Sequence, residues 1–463
     1  MAEDRVQSSL ADANVALTNK ERFCYACGVI GMIIPFNLPL GYLTFYWTDV
    51  AMIPASLVGT FLMVNKLWDA INDPIIGSMA DRTNTPKGRY RPWMIPTGII
   101  SNLTCLLLFI RIPGASTTLQ YVCYFGSYFI FVAAFTALEI PHISMQSTMT
   151  TDYQQRGILT AWRQTSASLV MTIIAATYLP MTVYLVPGDR SAGYFYATLI
   201  FLIISTPFYF ICYFGTRERV IPPPPAEDTE KPTLIDSLKC LKGNTPTLML
   251  MGAHLMHGLN GISGSARMYF WSYVAGDPLY AAVNGTFTSG GGIFAAIFVG
   301  GIVRKYPHKQ RIAIGGWSVS ALIAFILYFV PVDNATGRLI FNVLSTFRGI
   351  AGSMGFVSLF SMVPECTEYT IAKYGLRASG FIFAVVNFMF KFGTSFNQGL
   401  FGWIMGAMHY VPNVAQPPAL LFLFRFCVTA AGGILQLIGV LFFRGYKITK
   451  ETHDAMLQEL SKA

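Results

Sequence analysis

The chain has 463 residues, of which 53% are hydrophobic and only 12% are charged, and its formal net charge is +9. Soluble domains carry roughly a quarter charged residues, so this composition cannot cover a water-facing surface and indicates an integral membrane protein. Because the basic residues lie in short loops between apolar stretches, the positive charge indicates orientation in a membrane and excludes nucleic-acid binding.

Apolar stretches of about 20 residues predict membrane-spanning helices. The sequence contains about twelve such stretches, some of them interrupted by Pro and Gly. The predicted spans are 23–47, 55–80, 93–111, 119–149, 158–186, 193–215, 247–275, 280–303, 312–331, 338–363, 378–408 and 417–444. The expected fold is therefore all-α, with twelve transmembrane helices.

The loops set the expected orientation. The loop after the second span carries Arg82, Lys87, Arg89 and Arg91, whereas the loops on the opposite side carry few basic residues. Basic loops face the cytoplasm, so both termini are predicted to be cytoplasmic. We expect a multi-pass protein of the inner or plasma membrane.

A polar segment with four consecutive prolines, Pro222 to Pro225, interrupts the apolar spans after the sixth. It predicts a cytoplasmic linker between two six-helix halves, the architecture of major facilitator transporters. The expected domains are an N-terminal half (1–215), the linker (216–246), a C-terminal half (247–444) and a cytoplasmic tail (445–463).

Two carboxylates within the second span are the first candidate site. Asp69 and Asp73 are four residues apart and share one face of a helix. A charge at membrane mid-depth costs several kcal/mol and needs a partner or a function. Together with Asn72 and Thr136 they offer oxygen ligands, which suit a hard cation such as sodium. The sequence predicts a monovalent cation site here, with Asp69 and Asp73 as the metal ligands.

A second polar centre combines an acceptor and donors. Glu139 lies in the fourth span, Arg163 in the fifth and Lys391 in the eleventh. Such a set suits a polyhydroxylated solute or a carboxylate. Since Thr136 and Glu139 are one helical turn apart, a bound cation would shape the solute site.

Several motifs carry a resemblance to a known family. They are Tyr46-Trp47-Thr48-Asp49-Val50, Trp68-Asp69-Ala70-Ile71-Asn72-Asp73-Pro74, Lys87-Gly88-Arg89-Tyr90-Arg91-Pro92-Trp93, Glu139-Ile140-Pro141 and Tyr410-Val411-Pro412-Asn413-Val414. With them the chain resembles, over nearly its whole length, the glycoside–pentoside–hexuronide:cation symporters of the major facilitator superfamily. The resemblance implies cation ligands at Asp69, Asn72, Asp73 and Thr136. It implies sugar contacts at Glu139, Arg163, Asn387, Lys391 and Phe356.

One departure from the family bears on the solute. Members that carry galactosides have an aspartate on the first helix, where this chain has Ile33, with Asn37 one turn on as the polar candidate. Loss of this acid while Arg163, Lys391 and Arg267 remain makes the expected site more positive. The hypothesis that follows is that the solute is an acidic sugar, such as a uronide or a sugar acid.

The predicted function is cation-coupled import of a sugar or glycoside by alternating access. Sodium is favoured as the coupling ion, with H⁺ or Li⁺ as alternatives, and no cofactor is expected. A lysolipid or other amphipathic-solute carrier of the same fold and a non-transporting sensor are the rival functions. An enzyme is not expected, because no nucleophile–base pair or metal cluster lies at mid-depth. The expected partners are the sugar, a monovalent cation and membrane lipid, and we expect a monomer.

Overall fold

A computed structural model of the protein describes residues 17–112, 114–150, 152–219, 241–305, 308–374 and 379–448, together with 452 and 456. Every regular element in this part of the chain is helical. The α-helices are α1 (Asn19–Leu38), α2 (Ala55–Arg82), α3 (Met94–Leu107), α4 (Thr117–Met149), α5 (Tyr153–Tyr184), α6 (Arg190–Gly215), α7 (Thr245–Leu259), α8 (Ile262–Tyr269), α9 (Tyr280–Lys305), α10 (Lys309–Phe329), α11 (Ala335–Ser361), α12 (Val363–Tyr374), α13 (Ser379–Ala407), α14 (Pro418–Val428) and α15 (Ala430–Gly445).

The helices follow the predicted spans closely, with informative exceptions. The first span continues beyond α1 as π-helical turns at Pro39–Leu43 and Tyr46–Val50. The span predicted at 247–275 is divided into α7 and α8, and the span predicted at 417–444 is a pair, α14 and α15, bent by 41°. Apolar composition predicts where a helix lies, but it does not reveal where the helix breaks.

Six of the described helices are long and apolar enough to cross a membrane, or seven if the bent pair counts as one span. Helix α2 carries Lys66, Asp69 and Asp73 within its length, and α3 has only 14 residues. The charges lower the mean hydropathy of α2, and α3 is too short to cross a membrane, so neither helix is among the six. The count of twelve spans and the cytoplasmic termini stay predictions.

The chain divides into two compact units. The first consists of Met1–Ile53 and Leu67–Glu227, and the second of Pro54–Lys66 and Asp228–Ala463. Most of the predicted linker (220–240) and most of the predicted tail (449–451, 453–455 and 457–463) lie outside the described residues. The predicted domain boundaries therefore stay predictions.

Two prolines, one inside α1 and one just after it, are accommodated by neighbouring side chains. Pro35 has no N–H to donate to the Gly31 carbonyl, and the Tyr209 hydroxyl donates to that carbonyl instead at 2.9 Å. Pro39 likewise leaves the Pro35 carbonyl without its helical donor, and the Cys105 thiol lies 3.5 Å from this oxygen. Within apolar surroundings an unsatisfied carbonyl is costly, so these contacts stabilise the irregular first helix.

Candidate functional site

In the first unit, one hydroxyl lies between the two predicted carboxylates. Thr136 on α4 is 3% exposed, and its Oγ1 is 3.3 Å from Asp69 Oδ1 and 3.4 Å from Asp73 Oδ1. The two aspartates are presented by successive turns of α2 because they are four residues apart. Oxygen atoms from two helices therefore converge on one point.

An aromatic contact lies beside this point. The Trp68 ring stacks on Phe129, with ring centroids 4.3 Å apart and an angle of 18° between the planes. Phe129 is two turns before Thr136 on α4, so both residues lie on the same side of that helix. The stack therefore joins α2 and α4 next to the carboxylates.

The other predicted cation ligand, Asn72, is buried at 3% exposure, and its Nδ2 makes no hydrogen bond within the described residues. The structure does not connect it to Thr136 by a hydrogen bond. Among the described residues, no group of three His, Cys, Asp or Glu side chains could hold a metal ion. Two carboxylates and a hydroxyl form a set of hard oxygen donors, which does not favour a transition metal.

One turn along α4 from Thr136, a carboxylate and a guanidinium group form an ion pair. Glu139 Oε1 is 3.5 Å from Arg163 Nη2 on α5, and the two side chains are 40% and 29% exposed. The guanidinium Nε of Arg163 is buried and makes no hydrogen bond in the described part of the chain. The pair thus offers donors and acceptors that a polar solute can reach.

His142, for which the sequence predicts no role, anchors α4 to α1. Its buried ring stacks on Tyr25 with centroids 4.3 Å apart, and its Nε2 is 3.0 Å from the Tyr25 carbonyl oxygen. A Cβ on Gly28 would lie 2.6 Å from this nitrogen, so only glycine permits the close approach. Gln146 Nε2 donates to the Tyr25 hydroxyl at 2.8 Å. These contacts position the segment of α4 that carries Glu139.

The first-helix candidate, Asn37, donates from its Nδ2 to the Ile33 carbonyl at 2.9 Å. Part of its hydrogen-bonding capacity is therefore used within its own helix. Its predicted solute contact stays a prediction.

The second unit contains a polar cavity of about 360 Å³. Its lining includes Arg267 and Phe356, two of the predicted solute residues. Asn387 and Lys391, which are one turn apart on α13, are not among the residues that line it. The Asn387 side chain is exposed, and the Lys391 side chain is partly buried.

Sequence reasoning missed the most prominent residue of this cavity. Arg348 on α11 lines it together with Asn260 and Gln436. From the sequence alone, an arginine in an apolar span is equally compatible with a side chain that extends to the membrane interface. The available signal was the presence of Gln436 and Asn260 in otherwise apolar helices. Their convergence on one point depends on tertiary structure.

Long apolar helices, interrupted helices that line a polar cavity, and carboxylates within a long helix are together typical of a membrane transporter for polar solutes. Residues 24–450 match the family described as MFS/sugar transport protein, so the chain belongs to this family of the major facilitator superfamily. It is a multi-pass membrane transporter and not an enzyme.

Known relatives are similar over most of their length. The chain is 29% identical to the isoprimeverose transporter of Lactiplantibacillus pentosus, over 92% of this chain and 89% of the relative. It is 25% identical to a glucuronide carrier protein homolog of Escherichia coli, over 94% of each chain. It is 28% identical to a putative 2,3-dihydroxypropane-1-sulfonate exporter of the same species, over 87% of each chain.

A solved structure shares the fold. The crystal structure of the nucleoside transporter NupG matches 93% of this chain and 100% of its own, with a TM-score of 0.61 and 12% sequence identity. Together with the family match, this establishes the resemblance to sugar symporters of the major facilitator type and the all-helical fold that it implied.

Proposed function

We propose that this protein imports a sugar or glycoside together with sodium across the inner or plasma membrane. The observation that carries the proposal is the Thr136 hydroxyl between the Asp69 and Asp73 carboxylates. Two carboxylates and a hydroxyl oxygen match the donor preference of a small hard cation. Asn72 would complete the oxygen set by turning its carbonyl oxygen toward the ion.

The proposed solute contacts begin one turn away. Glu139 accepts hydrogen bonds from sugar hydroxyls, and Arg163 donates to them. Because Thr136 and Glu139 lie on the same stretch of α4, an ion that fixes Thr136 also holds α4 in the orientation in which Glu139 contacts the solute. Cation and solute binding then favour one another, and the cation gradient drives solute accumulation.

The other predicted solute residues stay part of the proposal, each within its own unit. Asn387 and Lys391 on α13 supply an amide and an ammonium group, and Phe356 supplies an apolar face for a sugar ring. Arg267 and Asn37 are secondary candidates. The relatives named for isoprimeverose and glucuronide support a sugar as the solute over the amphipathic-solute alternative.

Uptake into proteoliposomes tests the proposal. The purified protein is supplied with neutral and acidic glycosides under an inward gradient of sodium, of lithium, or of protons alone. We expect accumulation above equilibrium with the sodium gradient and less with the other two. Equal accumulation under a proton gradient alone would establish proton coupling, and binding without any accumulation would indicate a receptor.

A further inference from the structure

Two helix breaks meet at the cavity of the second unit. The break between α7 and α8 lies at Asn260–Gly261, and the break between α14 and α15 lies at Thr429, whose φ is −115° and ψ is −90°. Asn260 and Val428, which flank these breaks, both line the cavity. In membrane transporters, interrupted helices expose backbone groups where a solute or ion binds.

Arg348 lies between the two breaks. Its Nη1 donates to the Val428 carbonyl at 2.8 Å, and its Nη2 is 3.3 Å from Ser263 Oγ. Gly432 lies so close that a Cβ at this position would collide with Nη2. The guanidinium is therefore held firmly, and its two hydrogen bonds within the described residues both go to neutral oxygens.

The charge of this cavity is one-sided. The described side chains that line it include two arginines, Arg267 and Arg348, and no carboxylate. Arg348 is partly buried, and its guanidinium donates only to neutral oxygens within the described residues. A cationic side chain inside a membrane protein is costly without a counter-charge. An anion that enters the cavity would supply that counter-charge, and guanidinium groups bind planar or tetrahedral oxyanions with paired hydrogen bonds.

Two buried acceptors face the same cavity without donors. Gln436 is only 6% exposed, and its Oε1 makes no hydrogen bond in the described structure. Asn260 Oδ1 is also buried and without a donor there. A buried acceptor without a partner costs about 1–3 kcal/mol, so a ligand with hydroxyl groups would satisfy both. An acidic group beside hydroxyl groups is the chemistry that the lining requires.

We propose that this cavity is an anion-recognising subsite, in which Arg348 binds the carboxylate or sulfonate of the solute while Asn260 and Gln436 accept bonds from its hydroxyl groups. The proposal rests on the proposed function, because it assumes a sugar-like solute. It adds a location and a residue for the discrimination between acidic and neutral solutes.

Gly352 offers a test that keeps Arg348 in place. It lines the cavity one turn after Arg348 on α11, and a Cβ there would meet Ser320 Oγ at 3.4 Å and Gln436 Nε2 at 3.7 Å, which are ordinary contacts. Gly352→Asp therefore adds a counter-charge beside the guanidinium, and Gly352→Asn is the neutral control of the same shape. Equilibrium binding of methyl β-D-glucuronide and methyl β-D-glucoside is measured with sodium present throughout.

We expect the wild type and Gly352→Asn to bind the glucuronide at least about tenfold more tightly than the glucoside, and Gly352→Asp to lose this preference. Arg348→Gln should also lose it, Arg348→Lys should keep most of it, and Arg425→Gln is the control. Arg425 donates to the Tyr328 carbonyl and does not line the cavity. An unchanged preference for the glucuronide in Gly352→Asp would overturn the proposal. An equal loss of affinity for the glucuronide and the glucoside in Arg348→Lys would also overturn it.

The dependence of binding on chloride and the dependence of uptake on sodium provide two further outcomes. If added chloride raises the affinity for both glycosides, the cavity holds a resident inorganic anion, and the assignment to the acidic group of the solute is wrong. Because binding is measured without a gradient, the ratio of affinities is independent of coupling. Uptake that ignores sodium would contradict the proposed function alone, whereas a wild type without preference for the glucuronide would contradict this inference alone.

Discussion

Thr136 is the residue on which the proposed cation site depends most directly, because its hydroxyl contacts both Asp69 and Asp73. Thr136→Ala removes the shared oxygen and leaves two carboxylates facing an apolar methyl group. Hydrogen bonds to charged groups contribute about 1.5–3 kcal/mol, so we expect the sodium concentration for half-maximal uptake to rise at least about tenfold.

Thr136→Ser is the matched control, since it keeps the hydroxyl and removes only a methyl group. It should retain sodium dependence within about threefold of the wild type. The measurement is glycoside uptake as a function of sodium concentration. Equal sodium dependence in Thr136→Ala and Thr136→Ser would show that the hydroxyl takes no part.

Some of this site follows from the sequence and some does not. Asp69 and Asp73 are placed on one helix face by their spacing alone, and the structure keeps them on one helix. Thr136 lies on another helix, so its approach to both carboxylates depends on how α2 and α4 meet, which spacing does not determine. The same reason explains why Arg348 was missed, because the residues around it come from several helices.

At the scale of a helix, α1 is held by Tyr209, whose hydroxyl replaces the backbone donor that Pro35 lacks. Tyr209→Phe leaves the Gly31 carbonyl without this donor, at a cost of about 1–3 kcal/mol. We expect the melting temperature of the purified protein to fall by about 2 °C or more.

A double-mutant cycle isolates this contact. Pro35→Ala restores the backbone N–H, so Tyr209→Phe should cost clearly less in that background than in the wild type. Thermal unfolding of the four proteins in detergent provides the comparison. Equal costs in the two backgrounds would mean that Tyr209 stabilises the protein through its ring or through its 3.1 Å contact with Asn102, and not through Gly31.

One carboxylate accepts three backbone hydrogen bonds from the loop between α2 and α3. Glu218, just after α6, accepts hydrogen bonds from the backbone N–H groups of Arg89, Tyr90 and Arg91 at 3.0, 2.8 and 2.8 Å. Gly88 has a φ of +116°, and a Cβ there would lie 2.5 Å from Glu218 Oε1. The close approach and the backbone conformation both require glycine at this position.

Removal of this carboxylate should loosen the loop. We expect Glu218→Ala to increase the rate of trypsin cleavage after Lys87 and Arg89 by about fivefold or more, because local opening becomes easier when three charge-assisted bonds are lost. Glu218→Gln keeps one acceptor oxygen and should give an intermediate rate. Identical cleavage of Glu218→Ala and the wild type would contradict this role.

At the scale of the whole molecule, composition and apolar patterning predict an all-helical membrane protein, and the family match confirms a transporter of the sugar-transport type. The helix breaks within α7–α8 and α14–α15 are not predictable from hydropathy, because an apolar stretch of the length of a membrane span reads as one helix whether or not it is interrupted. Residues at these breaks line the cavity of the second unit. The helix breaks, which hydropathy does not predict, therefore contribute to the proposed anion subsite.

The central claim is that sodium binds at Asp69 and Asp73 and enters together with the solute. The most direct measurement is solute-dependent uptake of radioactive sodium into proteoliposomes by the wild type, Asp73→Asn and the control Asp81→Asn. Asp81 lies on the same helix but bonds to the Tyr90 hydroxyl at 2.9 Å, outside the site. We predict sodium uptake that requires the solute in the wild type and Asp81→Asn, and none in Asp73→Asn. Solute-dependent sodium uptake that persists in Asp73→Asn would contradict the claim.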